Sequence, residues 1–397
     1  MARSALALAN PELLIWARET AGFDHHDVAS KLHVAETRIG AWEEGAERPT
    51  VKQLQRLSNI YKRPFAAFYL PERPPESPPV HDFRCLPETV ALARSPELLL
   101  EIRKVRRRRR LALELYEALD EDPPAFGISL DVDRYSDPEQ VGQQVRRALG
   151  IEYVTQVRWQ GNYGYEALGN WRAAVERRGI FVFQARGVAV DEVRGFSIED
   201  RPLPAIVLNT DDSPKGRLFT LLHELTHLLL REGGLCDLSE RGSPTSADRR
   251  AEVFCNHVAG AALVPLHYLL EERLVRQKGS DPQWSDADLD LLSSKYGASP
   301  EAVLRRLLIA ERTTRDFYEA KRQQFLQRYA RPRPRREGEK GPPPSRVALA
   351  TAGRPFARLV LTSYGRERIT ASDVADYLGV RLKHLDKIRA DLRMHRP

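Results

Sequence analysis

Two histidines and a glutamate lie inside a mostly apolar run, FTLLHELTHLLL, at residues 219–230. A polar side chain buried there without a partner would cost roughly 1–3 kcal/mol. The leucines recur at helical intervals, and the run contains no glycine or proline, so it predicts a helix. His223 and His227 would then share one face, where two imidazoles can bind one metal ion. Glu224 would be placed to take a proton from a water on that ion.

A second helical run, RRAEVFCNHVAGAALVP at residues 249–265, offers the remaining ligand. Glu252 could supply a carboxylate as the third metal ligand. Asn256, one turn further on, could hold a ligating histidine by its second ring nitrogen. Two histidines and one glutamate are the ligand set of a metallopeptidase. Taken alone, the first run would also fit a helix whose histidines are satisfied by backbone or water.

Other residues near these runs leave alternatives open. Cys255 lies close to the face of Glu252, and a thiolate ligand would close the site and make it structural. We favour a buried, small apolar role for Cys255. His257 lies further round the helix and is interpreted as a packing or surface residue. His267 and Tyr268 are candidates for stabilising an oxyanion, although ordinary residues of a loop or helix start are the favoured interpretation.

With these motifs in place, residues 160–270 resemble the ImmA/IrrE-type metallopeptidases. The matching stretches are RGFSI, PAIVLNT, FTLLHELTHLLL and the pattern ExxxNxxAxxxLxP that begins at Glu252. The resemblance implies one Zn²⁺ per chain, bound by His223, His227 and Glu252, with Glu224 as the catalytic base. It also implies an α+β, thermolysin-like (gluzincin) domain. The expected activity is that of a zinc metallo-endopeptidase acting on a protein substrate, often a repressor, in a stress or mobile-element switch.

The first 70 residues have the pattern of a helix-turn-helix. Asp24 can cap a helix that ends near the turn at His33, and Ala35 precedes a second helix. A third helix begins after Pro49. Two short helices joined by a tight turn and followed by a supporting helix are typical of DNA-binding modules.

This region resembles the XRE/Cro-type helix-turn-helix, most specifically in WEEGAERPTVKQL. The resemblance implies double-stranded DNA as a partner, contacted by the outward residues His25, Glu36, Thr37 and Arg38. Residues 1–70 hold nine Lys and Arg against eight Asp and Glu, a net charge of only +1. Because phosphate contacts dominate affinity for DNA, a homodimer or the rest of the chain would have to contribute. The alternative is a helix-turn-helix used for protein contacts.

The whole chain is predicted to be multidomain, with an all-α helix-turn-helix domain, an α+β metallopeptidase domain and a small helical C-terminal module. The predicted order is a helix-turn-helix domain at 1–70, a Pro-rich linker or arm at 71–95, the metallopeptidase domain with an N-terminal Arg-rich helix at 96–330, a disordered basic linker at 331–346 and the helical module at 347–397. Within that module, ITASDVADYLGVR resembles a second helix-turn-helix fragment.

Composition limits the cellular setting. The chain has 397 residues, a formal net charge of +7 and three widely spaced cysteines. These cysteines support neither a disulfide framework nor a Cys-rich zinc knuckle. No signal peptide and no membrane span are expected, so we expect a cytoplasmic protein. The run RKVRRRRR at 103–110 could follow nucleic acid or an acidic partner, but the solvated face of an amphipathic helix is the simpler interpretation.

A second function of a different class stays open. Proteins that fuse these two domains also resemble antitoxins, which bind operator DNA and sequester a partner toxin such as a nuclease. The zinc site would then be structural or accessory. Glu224 argues against that alternative, because a purely structural zinc site has no need of a base beside its ligands.

Overall fold

The computed structural model describes residues 5–74, 81–82, 94–159, 164–231, 234–236, 246–329 and 342–393. Their contacts divide the chain into two compact units. The first contains residues 5–74 and 94–106, and the second contains residues 81–82 and 107–393 where these are described. The multidomain organisation and the change from an all-α to an α+β unit are confirmed.

The first unit is a bundle of short helices around one apolar core. Its helices are α1 (Pro11–Thr20), α2 (His25–Leu32), α3 (Glu36–Glu43) and α4 (Val51–Tyr61), followed by a 3-10 turn at Phe65–Tyr69. Trp42, Tyr61 and Phe68 are buried at its centre. The unit also includes the first part of α5 (Pro96–Ala118).

The second unit is built on a mixed five-stranded sheet. Its strands are β1 (His81–Asp82), β2 (Phe181–Ala185), β3 (Gly195–Ile198), β4 (Ala205–Asn209) and β5 (Gly234–Cys236), in the spatial order β1-β5-β3-β4-β2. The pairs β2–β4 and β1–β5 are parallel, whereas β3 is antiparallel to both of its neighbours. Strand β1 comes from the predicted Pro-rich arm, so this part of the arm adds a strand to the sheet. The rest of the predicted arm at residues 75–80 and 83–93 lies outside the described residues.

Helices supply the rest of the second unit. They are α6 (Pro138–Leu149), α7 (Tyr153–Gln156), α8 (Tyr165–Glu176), α9 (Pro214–Leu230), α10 (Ser246–Leu263), α11 (Leu266–Glu271), α12 (Arg273–Lys278), α13 (Asp286–Tyr296), α14 (Pro300–Ile309), α15 (Arg315–Tyr329), α16 (Pro344–Ala352), α17 (Arg354–Gly365), α18 (Ala371–Leu378) and α19 (Leu385–Arg393).

Helices α9 and α10 pack against each other, and α9 also lies on strands β3 and β4. Three buried side chains fix the end of α10. Arg146 donates to the carbonyl of residue 262 at 2.8 Å, Gln156 to that of residue 263 at 2.8 Å, and Arg306 to that of residue 264 at 2.9 Å. The last carbonyls of a helix have no partner within the helix, so these bonds satisfy groups that burial would otherwise leave unpaired. They hold α10 in register beside α9.

The C-terminal helices pack directly on the sheet. Phe356 on α17 meets Phe181 and Phe183 of β2 edge to face, with ring centroids 6.3 Å apart in each case. Helix α16 also contacts β2 and begins at Pro344, inside the linker predicted for 331–346. Residues 331–341 of that linker lie outside the described residues. The helices predicted as a separate module therefore form part of the second unit, because their apolar faces cover an edge strand of its sheet.

The arginine run of α5 is used for internal contacts in the second unit. Arg107 pairs with Asp376 at 2.6 Å. Arg108 donates to the carbonyl of Thr351 at 3.2 Å, and Arg109 donates to the carbonyls of Pro202 and Leu203. These guanidinium groups have several donors in fixed positions, which suits them to binding backbone carbonyls. Arg107 is exposed, as the solvated-face interpretation predicts, whereas Arg108 and Arg109 are half-buried and donate to carbonyls of the second unit.

Across the part of the chain that the structure describes, every helix is too short or too polar to cross a membrane.

Candidate metal centre and DNA-recognition surface

Helix α9 positions the two histidines and the candidate base. Ser213 caps its start by accepting a hydrogen bond from the backbone N–H of Gly216, and Pro214 occupies its first turn. Both features favour a helix start. His223, Glu224 and His227 follow in the buried part of the helix, each 0 % exposed. The helix predicted from the leucine spacing is therefore formed, and its two histidines and its glutamate are buried.

A glycine on β3 allows α9 to approach the sheet closely. A Cβ atom on Gly195 would lie 2.4 Å from the side-chain methyl of Thr220 and 2.7 Å from the carbonyl oxygen of Val207. Both separations are shorter than real side chains tolerate, so a larger residue would push the helix away. Glycine at this position brings β3 within hydrogen-bonding reach of the functional face of α9.

Three buried side chains form a close triangle between α9 and α10. Nε2 of His223 and Nε2 of His227 are 3.1 Å apart. Oε1 of Glu252 lies 3.1 Å from Nε2 of His227, and its Oε2 lies 3.3 Å from Nε2 of His223. Among the described residues, these three form the cluster whose ligand atoms are close enough to share one metal ion. The structure thus brings together the three residues predicted as ligands.

The triangle has the dimensions that zinc requires. Ligands at 2.0–2.1 Å in a tetrahedral arrangement are separated by about 3.3 Å from one another. The observed separations of 3.1–3.3 Å agree with that value. Two imidazoles and a carboxylate are also the donor set that zinc prefers. The residues present therefore fit a zinc ion.

The electrostatics of Glu252 agree with a ligand role. Burial on its own would raise the pKa of this carboxyl, but the charges and hydrogen bonds of His223 and His227 outweigh it. The pKa of Glu252 is held at about 2 as a result. The carboxylate is therefore ionised at neutral pH, which is the form that binds metal.

Ser197 is a site residue that sequence reasoning missed. Its hydroxyl donates a 2.8 Å hydrogen bond to Oε2 of Glu224. Ser197 lies on β3 and is fully buried, as are its neighbours in that strand. The one available signal was a lone hydroxyl inside the buried strand GFSI, in a stretch that carries the family resemblance. This contact joins residues 27 positions apart, so local periodicity could not reveal it.

Residues near Glu252 on α10 have different surroundings. Asn256 is 2 % exposed, and within the described ranges neither atom of its amide group has a hydrogen-bond partner. The predicted bond from Asn256 to a histidine is thus not formed among these residues. Cys255 is buried in the apolar core and lies outside the described metal-ligand cluster. His257 pairs with Glu139 at 2.7 Å, as suits a packing residue.

The two residues considered for stabilising an oxyanion, His267 and Tyr268, make contacts of their own on α11. Tyr268 stacks on Tyr153 with ring centroids 3.8 Å apart, and His267 is an exposed residue of α11 beside it. These contacts fit the ordinary structural role favoured from the sequence.

In the first unit, α2 and α3 form a helix-turn-helix. Asp24 caps α2 by accepting from the backbone N–H of Asp27. His33 adopts the left-handed conformation, with φ 59°, and ends the helix. Helix α3 then begins after Ala35, whose side chain makes no capping bond. The cap predicted at Asp24 and the turn predicted at His33 are both formed.

The residues predicted to face DNA do not share one environment. Glu36, Thr37 and Arg38 are exposed on the first turn of α3. His25 is half-buried, and its Nε2 lies 2.9 Å from Oε2 of Glu43. His25 therefore faces an internal carboxylate, because the buried Glu43 lies within reach of the start of α2.

Glu43 also binds Arg18 in a two-pronged ion pair, with distances of 2.8 and 3.0 Å. The hydrogen bond to Glu43 raises the pKa of the Arg18 guanidinium above its usual range, although burial acts against it. This ion pair connects α1 with the end of α3. It fixes the helix predicted to face DNA on the rest of the unit.

Comparisons with known families agree with both units. Residues 14–68 match a family model described as a helix-turn-helix. Residues 175–308 match the M78 peptidase family, described as an IrrE N-terminal-like domain. No curated protein matches the chain. The predicted fusion of an XRE-type helix-turn-helix with an ImmA/IrrE-like metallopeptidase domain is confirmed. The first match supports binding to double-stranded DNA, and the second supports a metallopeptidase-type fold.

Proposed function

We propose that this protein is a DNA-binding regulator with zinc-dependent endopeptidase activity, which cleaves a partner regulatory protein. The observation that carries this proposal is the buried triangle of His223, His227 and Glu252, with the Glu224 carboxylate on the same helix as the two histidines. Among the described residues the cluster offers three protein ligands, so a zinc ion held there would have a fourth position for water or substrate. That arrangement is typical of a catalytic zinc site.

The chain's own residues have distinct parts in the hydrolysis. Zinc, when bound, polarises the scissile carbonyl and makes water more acidic. Glu224 takes the proton from the attacking water and later delivers it to the leaving amine. Ser197 orients the Glu224 carboxylate through its hydrogen bond. The rigid packing of α9 on β3 keeps base and ligands in a fixed relation.

The two units suggest what kind of protein is cut. A helix-turn-helix brings the peptidase to regulatory DNA, where repressors are bound. The family resemblance points to repressor-like substrates, whose cleavage would relieve repression in a stress or mobile-element switch. Such a protein would act in the cytoplasm, where its DNA target lies.

One observation favours a second function. The three proposed ligands and Glu224 are each 0 % exposed, and a fully enclosed metal also suits a structural site. In that alternative the protein is an antitoxin that binds operator DNA and neutralises a toxin, with the zinc stabilising the fold.

The substitution Glu224→Gln separates the two functions, because it removes the base and leaves all three ligands. Cells that produce wild-type protein should contain new protein N-termini, detectable by N-terminal mass spectrometry, that are missing from cells that produce Glu224→Gln. Zinc content and DNA binding should be equal in the two proteins. Identical sets of N-termini would contradict the peptidase. Repression and toxin neutralisation that survive the substitution unchanged would then favour the antitoxin.

A further inference from the structure

Helices α18 and α19 repeat the backbone geometry of the first helix-turn-helix. Helices α2 and α18 both have eight residues. The cap residues Asp24 and Thr370 accept hydrogen bonds from the backbone N–H groups of Asp27 and Asp373, respectively. The two helices therefore start in the same way.

The turns that end these helices also agree. His33 and Gly379 both adopt the left-handed conformation, with φ 59° and ψ 51° in the first and φ 65° and ψ 38° in the second. In each case the backbone N–H of the following residue donates a hydrogen bond to a helix carbonyl. Val34 donates to Ala29 at 3.1 Å, and Val380 donates to Ala375 at 2.9 Å. The same pattern of hydrogen bonds sets the chain direction after both turns.

The next segment begins in matching conformations as well. Ala35 has φ −68° and ψ 144°, and Arg381 has φ −79° and ψ 145°. In the second motif, a short helical turn at Leu382–His384 leads into α19. In the first motif, α3 lies at the corresponding place. The inward positions of both second helices are apolar and buried: Ile39 and Trp42 in the first, Leu385 and Ile388 in the second.

Identical residues occupy several matching positions of the two motifs, including the buried pairs Val28 and Val374, and Leu32 and Leu378. Aligned on His33 and Gly379, the two segments share five residues, in the pairs Asp27 and Asp373, Val28 and Val374, Ala29 and Ala375, Leu32 and Leu378, and Val34 and Val380. Conformation, capping and core residues thus all agree. Residues 370–389 form a complete helix-turn-helix, beyond the fragment that their sequence predicted.

The two motifs differ in the charge of the second helix. Residues 35–46 contain one basic and three acidic side chains, whereas residues 381–392 contain four basic and two acidic ones. Arg381, Lys383 and Lys387 are exposed, and Leu382 is 52 % exposed at the start of the segment. Basic side chains at this place in the motif suit DNA phosphates, and an exposed leucine suits an apolar base edge.

The second motif is held on a rigid base. Arg354 donates to the carbonyl of Asp391 on α19, and α19 packs on α16, which itself lies against β2. Arg107 pairs with Asp376 on α18. These contacts anchor both helices to the second unit and leave the basic residues at the start of the second helix exposed.

We propose that residues 370–389 are a second DNA-binding site, which docks double-stranded DNA through Arg381, Lys383 and Lys387. Two DNA-binding elements on one chain raise the overall affinity, because binding of one increases the local concentration of the other. This would supply the phosphate contacts that the nearly neutral first motif lacks. The inference depends on none of the metal-site residues.

Fluorescence anisotropy of the full chain with a labelled duplex of about 30 base pairs and mixed sequence tests the proposal. The variant Lys383→Glu/Lys387→Glu reverses two exposed charges at the second site. Thr37→Glu places a negative charge on the exposed face of the first motif and should weaken its binding to DNA. A third variant combines Thr37→Glu with Lys383→Glu/Lys387→Glu. The control is Arg276→Glu/Arg315→Glu, which changes two exposed side chains of the same unit by the same total charge. Circular dichroism checks that each variant is folded.

We expect Lys383→Glu/Lys387→Glu to weaken binding by about tenfold or more and to lower the salt slope of log K by about 2, since roughly one ion is released per phosphate contact. The effect should also appear in the Thr37→Glu background, and the control should bind like wild type. Equal affinity and salt slope for wild type and the lysine variant, in both backgrounds, would overturn the second site. A control that weakens binding as much as the lysine variant would also overturn it. Zinc content should equal that of wild type in all of these variants, because none of them changes a proposed metal ligand, so weaker DNA binding with normal zinc content bears on the DNA site and not on the metal centre.

Discussion

Ser197 on strand β3 donates a 2.8 Å hydrogen bond to the carboxylate of Glu224 on helix α9. Both side chains are completely buried. A general base must be held in a fixed orientation to act on a water. The sheet therefore contributes to the candidate site by orienting the proposed base, while helices α9 and α10 carry the proposed ligands.

The substitution Ser197→Ala should lower kcat by about 10–100-fold with little change in KM, the usual cost of losing a positioning contact. Zinc content should stay at the wild-type level, because no ligand is removed. The rate can be measured on the substrate identified by N-terminal mass spectrometry. Ser363→Ala is a matched control, since Ser363 is also fully buried but donates its hydroxyl to the carbonyl of Leu359 in its own helix. Equal rates for both variants would remove Ser197 from the mechanism.

Gly195→Ala should destabilise the second unit by about 1–3 kcal/mol, because the added methyl group would meet Thr220 and the backbone of β4. Urea unfolding measures this difference. Gly169→Ala provides the contrast: Gly169 lies inside α8, and a Cβ there meets open space. That change should stabilise the protein by about 0.5–1 kcal/mol. If both variants unfold alike, the close contact between β3 and α9 is not required.

The Glu139 ion pairs should make stability depend on pH. Burial alone would raise the pKa of Glu139, but hydrogen bonds from His257 and Arg306 lower it to about 2 from an ordinary value of 4.5. Because the folded pKa is depressed, the stabilisation is present above pH 4.5 and is lost as pH falls toward 2. Glu139→Gln should therefore cost roughly 2 kcal/mol at pH 6, and the difference from wild type should shrink by pH 3. Urea titrations of both proteins at these pH values give the comparison. A difference that does not vary with pH would exclude this linkage.

In the first unit, Glu43→Gln should destabilise the helix-turn-helix by about 3 kcal/mol, because it removes the closer and more deeply buried of the two acidic partners of Arg18. Hydrogen-exchange mass spectrometry of peptides from residues 11–43 reports on this unit alone. The adjacent Glu44→Gln changes an exposed side chain and should have an effect within about 0.5 kcal/mol. Similar exchange rates in the two variants would show that the Arg18–Glu43 pair does not hold α3.

Local patterns in the sequence predicted the features that depend on neighbouring residues. The leucine spacing of α9 predicted a helix with His223 and His227 one turn apart, and the sequence around His33 predicted the cap and turn of the first motif. The proximity of Glu252 to those histidines could also be predicted from the sequence, because the same spacing of residues occurs in a known family. These features need only helix periodicity and capping chemistry.

Contacts between distant segments could not be predicted in the same way. Ser197 meets Glu224 only when β3 pairs with β4 and α9 crosses both. Arg107 and Arg108 appear solvated in a helical pattern, yet their partners Asp376 and Thr351 lie near the other end of the chain. Exposed Arg and Lys are the ordinary expectation for such a run, and only the folded chain brings a carboxylate and a carbonyl from distant segments within their reach.

Zinc bound per chain, measured by elemental mass spectrometry on purified protein, tests the central claim most directly, because both proposed functions need the metal. We predict about one zinc in wild type and in Glu224→Gln, and close to none in His227→Ala, which removes one of three protein ligands. Zinc-free wild-type protein, or full zinc content in His227→Ala, would contradict the metal centre formed by His223, His227 and Glu252.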